Sequence, residues 1–250
     1  MKRLFVSMSV FVLLLMGACT SMTTTSTETP VVTPAAIQNQ TNFEAAVAKT
    51  RPSVVTIELV TQDPTTGQQQ RAAGTGWVID SKGFIATNEH VVSGASLNNI
   101  TITSGDGTKF TPTGVQTDSS KDLAVLKINT QSLLAAGVGD SSKLVLGQPV
   151  ATIGNALDLG IRVTTGVVSL LDVTMTYQSN NLTLSGLIET DAIINPGNSG
   201  GVLIDMSGNV MGITNGGLEG SSTDVEGFGY AININDAMPV LKSLMSKISG

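Results

Sequence analysis

An all-β fold with one short helix at each end is what this sequence predicts, and three observations carry the expectation. Runs rich in Val, Ile, Thr and Leu recur along most of the chain, each short enough to be a strand. Turns built on Gly and Asp, such as Asp80-Ser81-Lys82-Gly83 and Gly105-Asp106-Gly107, separate them. Helical signals are confined to the segments after Thr41 and after Asn235. With 250 residues the chain can bury a full core, as one domain or as two small halves.

The elements follow in order. Thr41-Asn42-Phe43-Glu44 has capping-box spacing, so a short helix begins there and must stop before Pro52. Residues 53–60 form a β-branched strand turned by Thr65-Thr66-Gly67. Strands 74–79 and 84–87 pair around Asp80-Ser81-Lys82-Gly83 and deliver Asn88-Glu89-His90-Val91-Val92 at their end. A second hairpin joins 99–103 to 109–115, and Asp122 opens the apolar strand that runs to Ile128. A first half-core closes near Leu144. The second half repeats the style with strands at 149–153, 163–169, 182–189, 202–204, 210–214 and 227–234. Asn235-Asp236 caps a closing helix, 237–248, with Pro239 tolerated in its first turn. The expected division is 42–145 for a first barrel and 146–250 for a second barrel with the closing helix.

The N-terminus reads differently. Met1-Lys2-Arg3, the apolar run 4–16 and Gly17-Ala18-Cys19 make a charged start, a hydrophobic core too short to span a bilayer, and a small-residue cleavage site. Residues 1–18 are therefore expected to be a signal peptide. Leu15-Met16-Gly17-Ala18-Cys19 resembles a bacterial lipobox, which implies lipidation of Cys19 and a membrane anchor; without lipidation the mature protein would be secreted or periplasmic. The Thr-rich segment 19–41, with Pro30 and Pro34, reads as a disordered tether whose reach is on the order of 25 Å.

Composition excludes several classes of chemistry. A net charge of −6 leaves no basic footprint for nucleic acid. One Cys and one His cannot supply a zinc site of the usual kind, nor can a disulfide form within the chain, so no metal and no cofactor are expected.

What remains is side-chain chemistry. In Asn195-Pro196-Gly197-Asn198-Ser199-Gly200-Gly201 glycines crowd one serine on both sides, and an apolar strand follows at once. Such a turn can display a nucleophile and converge its N–H groups on an oxyanion, although a plain Gly-rich hairpin turn reads the same way. The stretch also fits G-x-S-x-G, but that elbow opens a helix and its histidine follows the serine. Here the one histidine, His90, lies upstream, so a Ser/His enzyme built from this chain runs in the order His, Asp, Ser, as trypsin-like double barrels do. A lone His among apolar residues can equally be structural. Among the Asp residues between them, Asp106, Asp118 and Asp140 sit in turns, whereas Asp122 is pressed against a long apolar run. A carboxylate there needs a donor such as an imidazole N–H, unless it is only a turn residue before the strand.

Taken together, Thr87-Asn88-Glu89-His90-Val91-Val92, Asp122-Leu123-Ala124-Val125-Leu126-Lys127, the segment 190–201 and Gly227-Phe228-Gly229-Tyr230-Ala231-Ile232 resemble the motif set of the HtrA/Deg serine proteases. The likeness runs from about Phe43 to the C-terminus. It implies a trypsin-like pair of six-stranded barrels, with His90 as general base, Asp122 as orienting acid and Ser199 as nucleophile. It places the oxyanion hole in Gly197-Asn198-Ser199, with the N–H groups of Gly197 and Ser199 as donors, and the substrate-binding set at Ile193, Thr214 and Asn215. Ile193, six residues before the nucleophile, offers no countercharge, so small or medium aliphatic side chains are expected before the cleaved bond. Asn155-Ala156-Leu157-Asp158 departs from the family's Pro-Phe-Gly-like loop, and no peptide-binding PDZ domain follows within this sequence. The implied function is a cell-envelope serine endopeptidase acting on unfolded or damaged protein. The alternative is a latent or non-catalytic peptide-binding holdase on the same fold. Relatives often assemble as homotrimers through the N-terminal segment, which the resemblance extends to this chain.

Overall fold

The computed structural model describes residues 35–62, 67–130, 133–156, 160–177, 181–215 and 227–249. The signal peptide, Cys19 and the first part of the tether lie outside the described residues.

Helix α1 (Ala35–Thr50) starts at Ala35 rather than at Thr41. Ala35, Ala36, Gln38 and Gln40 are good helix formers, so nothing opposes helix until Pro34, and the stretch 35–40 is helix rather than tether. Its end is pinned to a distant hairpin: Lys49 Nζ donates to Ser207 O at 2.8 Å and Thr50 Oγ1 to Gly208 O at 2.7 Å.

The first sheet contains β1 (Val54–Gln62), β2 (Gln69–Asp80), β3 (Phe84–Thr87), β4 (Ile100–Thr103), β5 (Lys109–Phe110), β6 (Gly114–Asp118) and β7 (Leu123–Lys127). Their order is β5-β4-β1-β2-β3-β7-β6, with every given pairing antiparallel. Six strands are expected for this half. The observed seven arise because the predicted strand 109–115 breaks at Pro112, which has no N–H to give a ladder. Inward residues Val55, Ile57, Ile85, Ile102, Leu126 and Ile128 make the sheet's own core. Helix α2 (Glu89–Val92) is a single turn that follows β3.

The second sheet begins earlier than expected. β8 (Gly137–Val138) already pairs in parallel with β13 (Asn209–Asn215), and Leu144 packs with Val150, Val168, Ile188 and Leu203. Strand pairing with the second sheet thus begins before the expected division at 145/146. β9 (Pro149–Gly154), β10 (Arg162–Tyr177), β11 (Leu182–Thr190), β12 (Val202–Ile204) and β14 (Gly229–Asn233) complete the sheet. The order β12-β9-β10-β11-β14-β13, with β12 also paired to β13, is a closed ring of six strands, and β8 lies on its outside.

An apolar layer joins the two sheets. Val54, Trp77, Phe84, Leu123 and Val125 from the first meet Val202, Ile204, Ile213 and Ile232 from the second. Helix α3 (Ile234–Ser249) closes that layer with Ala237, Leu241 and Leu244, spaced as one helix face. Each buried Leu there contributes about 2 kcal/mol. The helix starts at Ile234, three residues before Ala237, so Pro239 stands beyond the first turn. The reason is local: Asn235 N donates to Asn233 Oδ1 at 3.0 Å and to Ser141 Oγ at 3.2 Å, which captures an N-terminal donor before Ala237 is reached.

Candidate active site

The base and the acid meet where two paired strands end. Thr87 on β3 pairs with Ala124 on β7, so the turn beyond Thr87 and the residue before Leu123 are neighbours. His90 Nδ1 lies 2.8 Å from Asp122 Oδ2 and 3.0 Å from Oδ1, and the His90 backbone N–H donates to Oδ1 at 3.0 Å. Because the carboxylate accepts, the ring hydrogen sits on Nδ1 and Nε2 presents its lone pair. The imidazole is 42% exposed and the carboxylate 5%, so the base is open to the cleft while the acid is desolvated.

Asp122 is held on every side. Its φ of +52° is left-handed, a conformation that Asp tolerates better than most residues. Asn88 Nδ2 donates to its carbonyl at 2.9 Å, and Asn215 Nδ2 donates to Oδ2 at 2.8 Å across the cleft from β13. The phenol of Tyr177 is pushed above its ordinary range by burial, with Asp122 and Tyr230 adding to the effect. Burial also raises the Tyr230 phenol, which donates to Glu189 Oε2 at 3.1 Å.

The serine turn is braced from three directions. β10 holds its approach: Val167 N donates to Asp191 Oδ1 at 2.7 Å and Thr164 Oγ1 to Ile193 O at 2.8 Å. Inside the turn, Asn198 N donates to Asn195 O at 3.0 Å and Gly201 N to Asn198 O at 2.9 Å. β13 secures the far side through Thr214 Oγ1 to Asn198 O at 2.6 Å and Gly200 N to Thr214 O at 2.9 Å. The first sheet supplies the third brace, in which Thr75 N donates to Ser199 O at 2.9 Å and Thr75 Oγ1 to Gly197 O at 2.7 Å. Gly200, at φ +83°, is required: a Cβ there would stand 2.1 Å from Thr75 O and 2.2 Å from Thr87 Oγ1. Since Thr87 is three residues before His90, this packing ties the serine turn to the strand that leads to His90.

Several predicted residues also make structural contacts. Asn198 spends its N–H within the turn, so it does not offer that donor to an oxyanion. The side chains of Thr214 and Asn215, both buried, hold the serine turn and the acid. Ile193 is 59% exposed, whereas the next residue, Ile194, lies where a Cβ on Gly229 would meet its Cδ1 at 2.6 Å. Asn155 Oδ1 accepts from Gly160 N at 2.8 Å, while Leu157 and Asp158 lie outside the described residues. Sequence reasoning missed Thr75 altogether. Its signal was the pair of flanking glycines: a Cβ at Gly74 would meet Val91 Cγ1 at 2.5 Å and one at Gly76 would meet Ile85 Cγ2 at 2.8 Å.

This geometry agrees with the relatives that the chain matches. Residues 74–213 match the family model of the trypsin-like peptidase domain. The chain is 41% identical over 185 residues to the serine protease Do-like HtrA of Bacillus subtilis (strain 168), covering 71% of this chain and 40% of that protein. It is 37% identical over 177 residues to a probable periplasmic serine endoprotease DegP-like of Halomonas elongata, covering 71% of this chain and 36% of that one. The matched part thus spans less than half the length of these two relatives. Among solved structures, an HtrA-type protease AlgW with a decapeptide superposes with a TM-score of 0.68 at 31% identity, covering 82% of this chain and 67% of that chain. With two curled sheets, an acid bonded to a histidine and a serine on a glycine-rich turn between them, the chain belongs to the HtrA/Do-like branch of the trypsin-like serine peptidase family.

Proposed function

We propose that this protein is a serine endopeptidase of the cell envelope that hydrolyses peptide bonds of unfolded or damaged proteins. The observation that carries the reading is the bond between His90 Nδ1 and Asp122, which leaves Nε2 as the ring's acceptor. His90 takes the Ser199 proton as Oγ attacks the carbonyl carbon. The imidazolium so formed is stabilised by Asp122 and then protonates the leaving amine, and water hydrolyses the acyl-enzyme by the same route in reverse. Gly197 and Ser199 supply the N–H groups for the oxyanion, and the absence of a countercharge at Ile193 and Ile194 favours aliphatic side chains before the cleaved bond. Two of the relatives carry names that support export, and one neighbour has a peptide bound, which supports extended peptides as substrates. Anchoring through lipidated Cys19 and assembly as a homotrimer belong to the same proposal.

The test is treatment of the whole protein with a fluorophosphonate probe beside Ser199→Ala, with casein digestion in parallel. Labelling and digestion that both vanish in the variant are expected. A wild type that neither labels nor digests would favour the holdase reading. Moving Cys19→Ser from the membrane fraction to the soluble fraction would support the anchor, and an unchanged distribution would remove it.

A further inference from the structure

Thr75 is buried completely and its four polar connections all lead to the catalytic cleft. Its N–H donates to Ser199 O at 2.9 Å, its carbonyl accepts from Thr87 Oγ1 at 2.7 Å, and its hydroxyl donates to Gly197 O at 2.7 Å. The same hydroxyl accepts from the backbone N–H of Asn155 at 2.8 Å. The Gly197 carbonyl can only accept and the Asn155 N–H can only donate, so the hydroxyl's one hydrogen goes to Gly197 O and a lone pair to Asn155. The two partners together fix the orientation of the hydroxyl. Gly197 has φ +93°, and a glycine has no Cβ to restrict rotation of its flanking peptides. Bonds within the turn engage the N–H groups of Asn198 and Gly201, Gly200 N donates to Thr214 O on β13, and the Gly197 carbonyl is gripped from the other sheet.

We propose that Thr75 is a positioning residue for the acyl-transfer step: its hydroxyl, held by the Asn155 N–H, grips the carbonyl of Gly197 and so restrains the torsions of that glycine, which set where its own N–H points beside Ser199. The proposal rests on the hydrolase reading above. The substrate never touches Thr75. Its effect falls on the transition state, because only a developing oxyanion depends on where that N–H points.

Thr75→Val keeps the shape and removes the hydroxyl; Thr75→Ser keeps the hydroxyl. Well below the melting temperature, Thr75→Val is expected to lower both kcat and the rate of fluorophosphonate labelling by about ten- to a hundredfold, with KM for a peptide nearly unchanged. Thr75→Ser should recover most of that loss. Thr113→Val removes another threonine bond, to Lys127 O at 3.2 Å and far from the turn, and should leave the rate alone. A Thr75→Val enzyme as fast as the wild type would overturn the proposal, and so would a loss that Thr75→Ser shares in full. A crystal structure of Thr75→Val decides the matter even for a protein that does not label: a rotated Gly197 carbonyl upholds the device, an unmoved one refutes it. Failure of wild-type labelling would count against the hydrolase reading alone.

Discussion

In the first sheet, His90 and Asp122 stand at the joined ends of two paired strands, closed by a backbone bond and one bifurcated ring bond, and the second sheet adds a single bond from Asn215 to Asp122. In the second, Ser199 stands on a turn whose bonds reach β10's Thr164 and Val167, β13's Thr214 and, across the seam, Thr75. One half of the machinery is set mostly by neighbouring strand ends and the other is assembled from afar. The difference follows from what each group must do. A base and its acid need one fixed distance, which a strand pair sets directly. A nucleophile must protrude while donors converge beside it, which requires a glycine turn, and such a turn has little stiffness of its own. Damage to the first half should therefore act on chemistry alone, whereas damage to the second should act on chemistry and stability together.

The largest effect expected is that of Asp122→Asn. Asn adopts the left-handed backbone at +52° as readily as Asp, so the fold should stay intact. An amide donor against Nδ1, however, reverses the imidazole tautomer and turns the wrong nitrogen to Ser199. A loss of about 10⁴-fold in kcat with unfolding free energy changed by less than about 1 kcal/mol is expected from peptide kinetics and urea unfolding. A variant that loses stability in proportion to activity would show that the first half is not set mostly by its own strand ends.

Gly200→Ala should do the opposite. The added methyl meets backbone and hydroxyl atoms of the other sheet at about 2 Å, at a φ that L residues avoid. A loss of roughly 3 kcal/mol or more, read from urea midpoints, is expected. Gly67→Ala is the comparison: its φ is +69° but nothing lies within 4 Å of the new methyl, so only the backbone cost of about 1 kcal/mol remains. Equal losses at the two glycines would mean that the seam between the sheets gives way easily at the serine turn.

These residues also mark how far the sequence could be read. The strands were visible because alternation and turn residues lie within a few positions of each other, and the His, Asp and Ser motifs because each is contiguous. Element boundaries shifted for local reasons at Ala35 and Ile234, at Pro112 and at Gly137, where single residues decide a helix start or a pairing. The glycines beside Thr75 signal tight packing there, but its partners, and those of Thr214 and Asn215, were not legible. Each depends on which strand ends meet in space, and two flanking glycines do not say which carbonyl the threonine will face 122 positions later.

The smallest effect distinguishes the two halves by their water. The chain has two tyrosines, Tyr177 and Tyr230, and both belong to the second sheet, on the side that faces Asp122 and Glu189. Both phenols are raised by burial, and neighbouring acidic groups oppose a further negative charge. The sign follows from linkage: a phenol whose folded value is raised contributes stability that is fully present below the ordinary value of about 10 and is lost as pH climbs through the folded value. Native protein at about pH 10.5 should therefore show less tyrosinate absorbance than urea-unfolded protein, which shows most of that of two free phenols. In Tyr177→Phe the unfolded signal should halve, and the native signal that remains belongs to Tyr230 alone and should stay below its unfolded counterpart. Native and unfolded signals of equal size would mean that water reaches this face of the second sheet, and the desolvation of Asp122 would then have to come from Leu123 and the rest of the first sheet's core alone.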